Sequence, residues 1–297
     1  MALGLEKVGF TPTLLIEPDV DARRTLRTNR NWPVAPRLEI GATESLANDG
    51  VGLLVGNLPS AGISIAGPSY ASTDIGEYAQ VLDLIGVINP SAVLLVNVAG
   101  LMQRRFFDLR RRIDARLGEH GYQSSWNVID SAHYGLPQAR RRAVLVAIQS
   151  SAFSRFVWPT ADTDPPTVGE FLLPQMSAKG WSGAGQWARL ARGVAPTIVG
   201  GSKRHGGADL GPSRTKDIWY SLGVDGRGVA DDPPAQDLPM RAMPRLTNGM
   251  LATLQGFPDE WTFVGQKTSV YRQIAGAFPA PTASVIGREI WAALYPE

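Results

Sequence analysis

The sequence contains no cysteine. That excludes disulfides, cysteine metal sites and thiol nucleophiles together. Histidine is almost as scarce, with His120, His133 and His205 far apart in the chain. So few and so scattered imidazoles argue against a zinc site or a serine–histidine triad. No apolar run approaches the ~20 residues that a membrane helix needs. The opening stretch MALGLEKVGF has no apolar core behind a basic flank, so it does not read as a signal peptide. Nothing contradicts a cytoplasmic location, and neither a membrane nor a metal is expected among the partners. An excess of charge of one sign is also missing. The 29 basic and 27 acidic residues leave a net charge of +2, so the chain as a whole is not a polycation. Its basic residues are mostly arginine. That bias suits phosphate and base-edge contacts, and it equally suits a GC-rich genome; only the distribution of the arginines separates the two.

The 297 residues are enough for one large domain or two modest ones, and 44% hydrophobic with 19% charged residues is ordinary for a globular protein. The first half alternates apolar runs with helix-like stretches. Leu14-Leu15-Ile16 precedes EPDVDARRTLRTN, a predicted helix opening at an acidic cap. Leu53-Leu54-Val55, the 75–88 stretch IGEYAQVLDLIGVI, Ala92 to Val96, the arginine-rich 103–122 stretch, SSWNVIDS and AVLVAIQS follow. Near-continuous apolar strands between helices predict an α/β fold, a doubly wound and mostly parallel sheet covered on both faces. Near residue 158 the composition turns rich in Pro and Gly with weak periodicity, and helical spacing returns from Arg245. The expected organisation is a large domain of residues 1–157 plus 245–297, with a small, loop-rich domain of residues 158–244 inserted in it.

Three stretches are more specific than generic folding signals: HYGLPQARRRAVLVA (133–147), RLTNGMLATLQGFPDEW (245–261) and KTSVYRQIAGAFPAPTASVIG (267–287). In order and spacing the chain resembles the DNA cytosine-5 methyltransferase family. LLVGNLPSAGISIAG is similar to that family's catalytic loop, AVLLVNVAGL to its strand bearing Glu-Asn-Val, and 196–226 to part of its target-recognition region. The resemblance implies a Rossmann-like domain for S-adenosylmethionine, an inserted target-recognition domain, and double-stranded DNA held between them with a cytosine flipped out. The chemistry it implies is demanding. A thiolate adds to carbon 6 of cytosine, a carboxylic acid steadies ring nitrogen 3, and a base removes the carbon-5 proton.

Position by position, the family's Pro-Pro-Cys is here Leu58-Pro59-Ser60, and its Glu-Asn-Val is Val96-Asn97-Val98. Ser60 therefore holds the nucleophile's place and Val96 the acid's, so no catalytic residue is intact. The asparagine lining the donor pocket is replaced by Gly276, and the chain starts just after the place of the family's Phe-x-Gly-x-Gly-Gly turn. Only Glu17 matches the carboxylate that holds the donor's ribose; it serves a remnant ligand or caps the following helix. The DNA-facing motifs look fuller. Gln138, Arg140 and Arg142 match Gln-x-Arg-x-Arg, and Gln255 and Arg272 stand in preserved stretches. Lys203, Arg204 and Arg214 stand in or beside glycine-rich loops that can place cations against phosphates. Arg104, Arg105, Arg110, Arg111, Arg112 and Arg116 form a stretch that reads as a solvated face or as a contact to nucleic acid or a partner. Trp181, Trp187 and Trp219 are expected to pack the small domain.

The expectation is a catalytically degenerate family member: a DNA-binding pseudoenzyme, accessory or regulatory to an active methyltransferase or a restriction component, with no cofactor required. The alternative is an active S-adenosylmethionine-dependent DNA cytosine-5 methyltransferase with a truncated N-terminus.

Overall fold

A computed structural model describes residues 1–58, 76–160, 164–199 and 207–296. In chain order the strands are β1 (Leu15–Ile16), β2 (Val34–Ala35), β3 (Leu53–Asn57), β4 (Ala92–Val98), β5 (Tyr122–Asp130), β6 (Gln138–Ala139), β7 (Arg141–Gln149) and β8 (Ala195–Pro196). The helices are α1 (Ala2–Glu6), α2 (Val20–Asn29), α3 (Ile40–Asp49), α4 (Gly76–Ile88), α5 (Phe107–Glu119), α6 (Ser150–Phe153), α7 (Val168–Ser177), α8 (Ala184–Leu190), α9 (Ser213–Ser221), α10 (Asn248–Leu254), α11 (Lys267–Gly276) and α12 (Ala280–Leu294). None of the described helices is long and apolar enough to cross a membrane.

The central sheet runs β3-β4-β7-β5. β3 pairs parallel with β4, whereas β7 pairs antiparallel with both β4 and β5. Three strands therefore point one way, as expected, and β7 alone is reversed. The link from β5 to β7 spans residues 131–140. That is too short for the crossover of a dozen or more residues that a parallel pair needs, so the chain folds back. Continuous apolar strands are buried on both faces because period-two alternation sends successive side chains to opposite sides. Val93, Leu95, Ala143, Leu145 and Ala147 face α4 and α5, which answer with Leu82 and Ile85 and with Leu109, Ile113 and Leu117 at helical spacing. Ala92, Leu94, Val96, Val144, Val146 and Ile148 face the other way, onto Ala283, Ile286, Ile290 and Ala293 of α12. The two ends of the chain meet there. A Cβ on Gly4 of α1 would collide with the carbonyl of Ala280, so that close crossing requires glycine.

A second core belongs to the later part of the chain. Val168, Leu172, Trp181, Trp187, Trp219 and Val229 pack together. The three tryptophans are buried as expected, and two of them satisfy their indole N–H groups on the carbonyls of Pro239 and Gly223. α7 begins at a capping box in which Thr167 and Glu170 exchange hydrogen bonds. Met250, Leu251 and Leu254 of α10 and Tyr271 and Ile274 of α11 join this core rather than the sheet's. Composition at residue 245 thus marks where periodicity returns. It does not mark which core the following helices enter.

One charged staple closes this module. The Asp225 carboxylate accepts from Arg227 at 2.8 and 3.1 Å and from Arg245 Nε at 3.0 Å. Those bonds, led by Arg227, hold its carboxyl well below the usual carboxylate range. A group with a lowered folded pKa stabilises above its unfolded value of about 3.9 and loses that contribution as pH falls. Asp225→Asn is therefore expected to lower Tm at pH 7, with the gap to the parent narrowing progressively below about pH 5. Thermal unfolding followed by circular dichroism checks it; a gap independent of pH would refute the staple.

Candidate functional site

At the carboxyl end of β4 the sheet opens on a cavity of about 260 Å³. Asn57 and Leu58 line it from the end of β3, Val96, Asn97 and Val98 from β4, Arg140 and Arg142 from β6–β7, and residues 275–278 from the end of α11. The register explains the gathering. Asn57 pairs with Val96, and Asn97 and Val98 pair with Ala143 and Arg142, so three strand ends are set level. The carboxyl edge of such a sheet is where ligands of open α/β folds bind.

Val96 and Gly276, the positions expected to have lost an acid and a pocket asparagine, both line this cavity. Val96 lines it with a methyl-bearing side chain that is otherwise packed into the sheet's core. Gly276 lines it too, and a Cβ there would meet nothing within 4 Å; the place of a pocket side chain is open space. Ser60 lies outside the described residues, as do Lys203 and Arg204. The chain departs toward Ser60 from Leu58, whose backbone N–H is still bonded to the Val96 carbonyl at 2.9 Å. Glu17 is not among the cavity's lining residues. One of its carboxylate oxygens accepts the Asp19 N–H at 2.8 Å, and Asp19 itself caps α2. Capping thus belongs to the neighbour two residues on.

The expected DNA-contact residues divide sharply. Gln138 and Gln255 are fully buried and bonded to each other, Gln138 Nε2 donating to Gln255 Oε1 at 2.6 Å. Gln138 also donates to the Leu254 carbonyl and accepts the Ile198 N–H. Gln255 donates to the carbonyls of Ile274 and Ala277. Arg140, 2% exposed, donates to the carbonyls of Ile198, Ala275 and Ala277 at 2.8–3.0 Å. Burial, helped by the charge of Arg142, pulls its pKa down to about 9, so the guanidinium stays charged at neutral pH. Most polar atoms of Gln138, Arg140 and Gln255 bond the chain's own backbone or one another and knit the sheet to the second core, while Arg140, with its Nε buried and unpartnered, also lines the cavity. Buried polar groups must find such partners, which is the physical reason.

Arg142 is different. It is half-buried, lines the cavity, and donates to the adjacent Arg141 carbonyl at 3.0 Å. Burial lowers its pKa, and with Asn97 and Asn57 it supplies the cavity's polar wall. Arg214 is exposed in the first turn of α9, and Arg272 is half-buried on α11. Neither lines the cavity. Asn57 went unnoticed in the sequence because a polar residue closing an apolar strand carries no signal of its own. Tyr271 was another omission. Its buried hydroxyl lies within hydrogen-bond distance of the carbonyls of Val199 and Asp209, which flank residues 200–206. Among the described residues no cluster of three or more metal-ligating side chains occurs.

The sequence pattern of the C-5 cytosine-specific DNA methylases matches residues 1–292. The chain is 46% identical to the type II methyltransferase M.NaeI of Lentzea aerocolonigenes, over 99% of this chain and 72% of that one. It is 36% identical to the type II methyltransferase M.NgoMIV of Neisseria gonorrhoeae, over 100% and 95%. Its fold is similar to that of a prophage-encoded DNA modification methyltransferase from E. coli, with TM-score 0.65 at 19% identity, covering 99% of this chain and 95% of that one. It is also similar to a Spodoptera frugiperda DNMT2 variant, with TM-score 0.60 at 11% identity, covering 97% and 95%.

The division between Arg140 and Arg142 is testable. Arg140→Ala strands the buried carbonyls of Ile198 and Ala275 and is expected to cost about 3 kcal/mol or more. Arg142→Ala should change stability by under about 1 kcal/mol, since it strands no such set. Urea unfolding of both variants checks this; equal costs would remove the distinction.

Proposed function

This chain belongs to the C-5 cytosine-specific DNA methylase family, and from that premise we propose that it binds double-stranded DNA at the cavity edge of its sheet without transferring a methyl group. The observation that carries the reading is Val96. It stands in the cavity beside Arg142 and Gly276, where an acid would have to steady the ring nitrogen of a cytosine. An isopropyl group neither donates nor accepts a proton. The sequence also holds no thiol, and a serine hydroxyl is not ionised near neutral pH without a strong adjacent base. Arg142 and Asn57 remain as polar groups able to meet a base or phosphate. In this reading the protein is an accessory or regulatory partner in a restriction–modification or DNA-modification system, its companion an active methyltransferase or a restriction component.

The names of the relatives favour a second reading, S-adenosylmethionine-dependent cytosine methylation. The family's cofactor would then supply the methyl group, and Ser60 would need an activating base. The described residues do not make a pocket for that donor. The cavity of about 260 Å³ is below the ~300–1,000 Å³ of ordinary small-molecule sites, position 276 has no side chain to bond with, and Glu17 stands outside the lining.

Two measurements separate the readings. The purified chain is expected to shift duplex DNA at low salt and to incorporate no label from S-adenosyl-[methyl-³H]methionine into that DNA. Incorporation that disappears in Ser60→Ala would establish the second reading. A chain that neither shifts DNA nor methylates it would overturn both. Arg142→Ala is expected to weaken the shift about tenfold or more, the usual worth of one good base or phosphate contact.

A further inference from the structure

β4 ends at Val98 on the cavity, and the chain continues through two short turns, Ala99–Met102 and Arg104–Phe106, into α5. The first residues of α5 therefore stand at the same carboxyl edge of the sheet as the cavity. Buried Leu109, Ile113 and Leu117 turn one face of α5 into the core. The other face begins with exposed Arg104, Arg105, Phe107 and Arg111. None of these three arginines forms an ion pair among the described residues, whereas Arg116, further along the helix, is held by both Asp83 and Glu119. Phe107 is 52% exposed, with the guanidinium groups of Arg110 and Arg111 about 6 Å from its ring centroid. Arg110 is tied by the carbonyls of Leu101 and Gln103, so it braces the ring while Arg111 faces outward. Arg111 also borders a shallow groove of about 360 Å³ with Ala115 and one opposing acid, Asp108. Cations at the positive end of a helix cost stability; Arg105 recovers part of that by lying 4.8 Å from the Phe106 ring centroid, and Arg104 forms no ion pair among the described residues.

We propose that this shoulder, Arg104, Arg105 and Arg111 around Phe107, is a second phosphate-binding surface, which takes the backbone of the same duplex DNA beyond the cavity. The inference rests on the DNA-binding reading given above. Charge complementarity and continuity with the cavity edge name the occupant. The three arginines are exposed and form no ion pair among the described residues, they stand on the segment that follows Val98, and toward the C-terminal end of α5 Arg116 is neutralised by Asp83 and Glu119. Contacts of this kind carry no base preference; they add affinity and salt dependence and set the register of the duplex.

The test is the salt dependence of duplex binding for the full chain, for Arg104→Gln/Arg111→Gln, for the charge-keeping Arg104→Lys/Arg111→Lys, and for Arg116→Gln as a control. Each lost phosphate contact should lower the slope of log K against log salt by about 0.9. The glutamine pair is therefore expected to lose about 1.8 from the slope, keep the parent's preference among DNA sequences, and keep its circular dichroism spectrum. The lysine pair and Arg116→Gln should keep the parent's slope. A parent-like slope in the glutamine pair overturns this inference alone and leaves DNA binding at the cavity standing. A parent that binds no duplex overturns both. If the glutamine pair keeps its slope on DNA yet loses the parent's retention on polyglutamate, the shoulder serves an acidic polypeptide and the proposal fails.

Discussion

The buried polar knot of Gln138, Arg140 and Gln255 is the constraint on which the arrangement of this protein depends. Its amide and guanidinium groups bond carbonyls from four places: the segment after β8, the end of α10, and both sides of the last turn of α11. A buried carbonyl left without a partner would cost about 1–3 kcal/mol. The knot thus does for loop backbone what a ladder does for strands. It sets α10 and α11 against the second core while holding residues 275–277 at the rim of the cavity.

From that constraint the site follows. Arg140 grips the carbonyls on either side of Gly276, and β4 delivers Val96 to the same cavity from the opposite wall. Arg142, two residues past Arg140 on the reversed strand β7, is left at the opening. A strand's alternation carries both arginines the same way, yet one is engulfed by α11 and the other is not. The frame of the C-5 cytosine-specific DNA methylase family is kept, with Val96 and Gly276 lining its cavity and no cysteine in the sequence. Framework and chemistry are separable because packing asks only for volume and satisfied backbone, and Val96 and Gly276 meet both demands.

Most strands and helices of the first half were legible in the sequence, since apolar runs and helical spacing report burial directly. The acidic cap of α2, the helical spacing in α4 and the three packed tryptophans all stand where the spacing and composition put them. The 158–244 region was less legible. Its helices are short, α7 carries Pro174 in its interior, and the one strong signal, the Thr167–Glu170 box, was hidden in a proline-rich context. The direction of β7 was not legible from its own residues either, because an apolar run looks the same parallel or antiparallel; the short link before it decides.

By itself the sequence determined the α/β alternation, the family motifs and the identity of the residues at positions 60, 96 and 276, because these are matters of which atoms are present. Only the tertiary structure decided what the motifs face. Gln138, Arg140 and Gln255 carry the same side chains that could meet DNA, but helices remote in sequence close over them and supply carbonyl partners, whereas Arg142 is only half-buried at the cavity and Arg104, Arg105 and Arg111 stay exposed. A side chain's chemistry is written in the residue; whether that chemistry is spent inward or offered outward depends on which distant backbone arrives beside it.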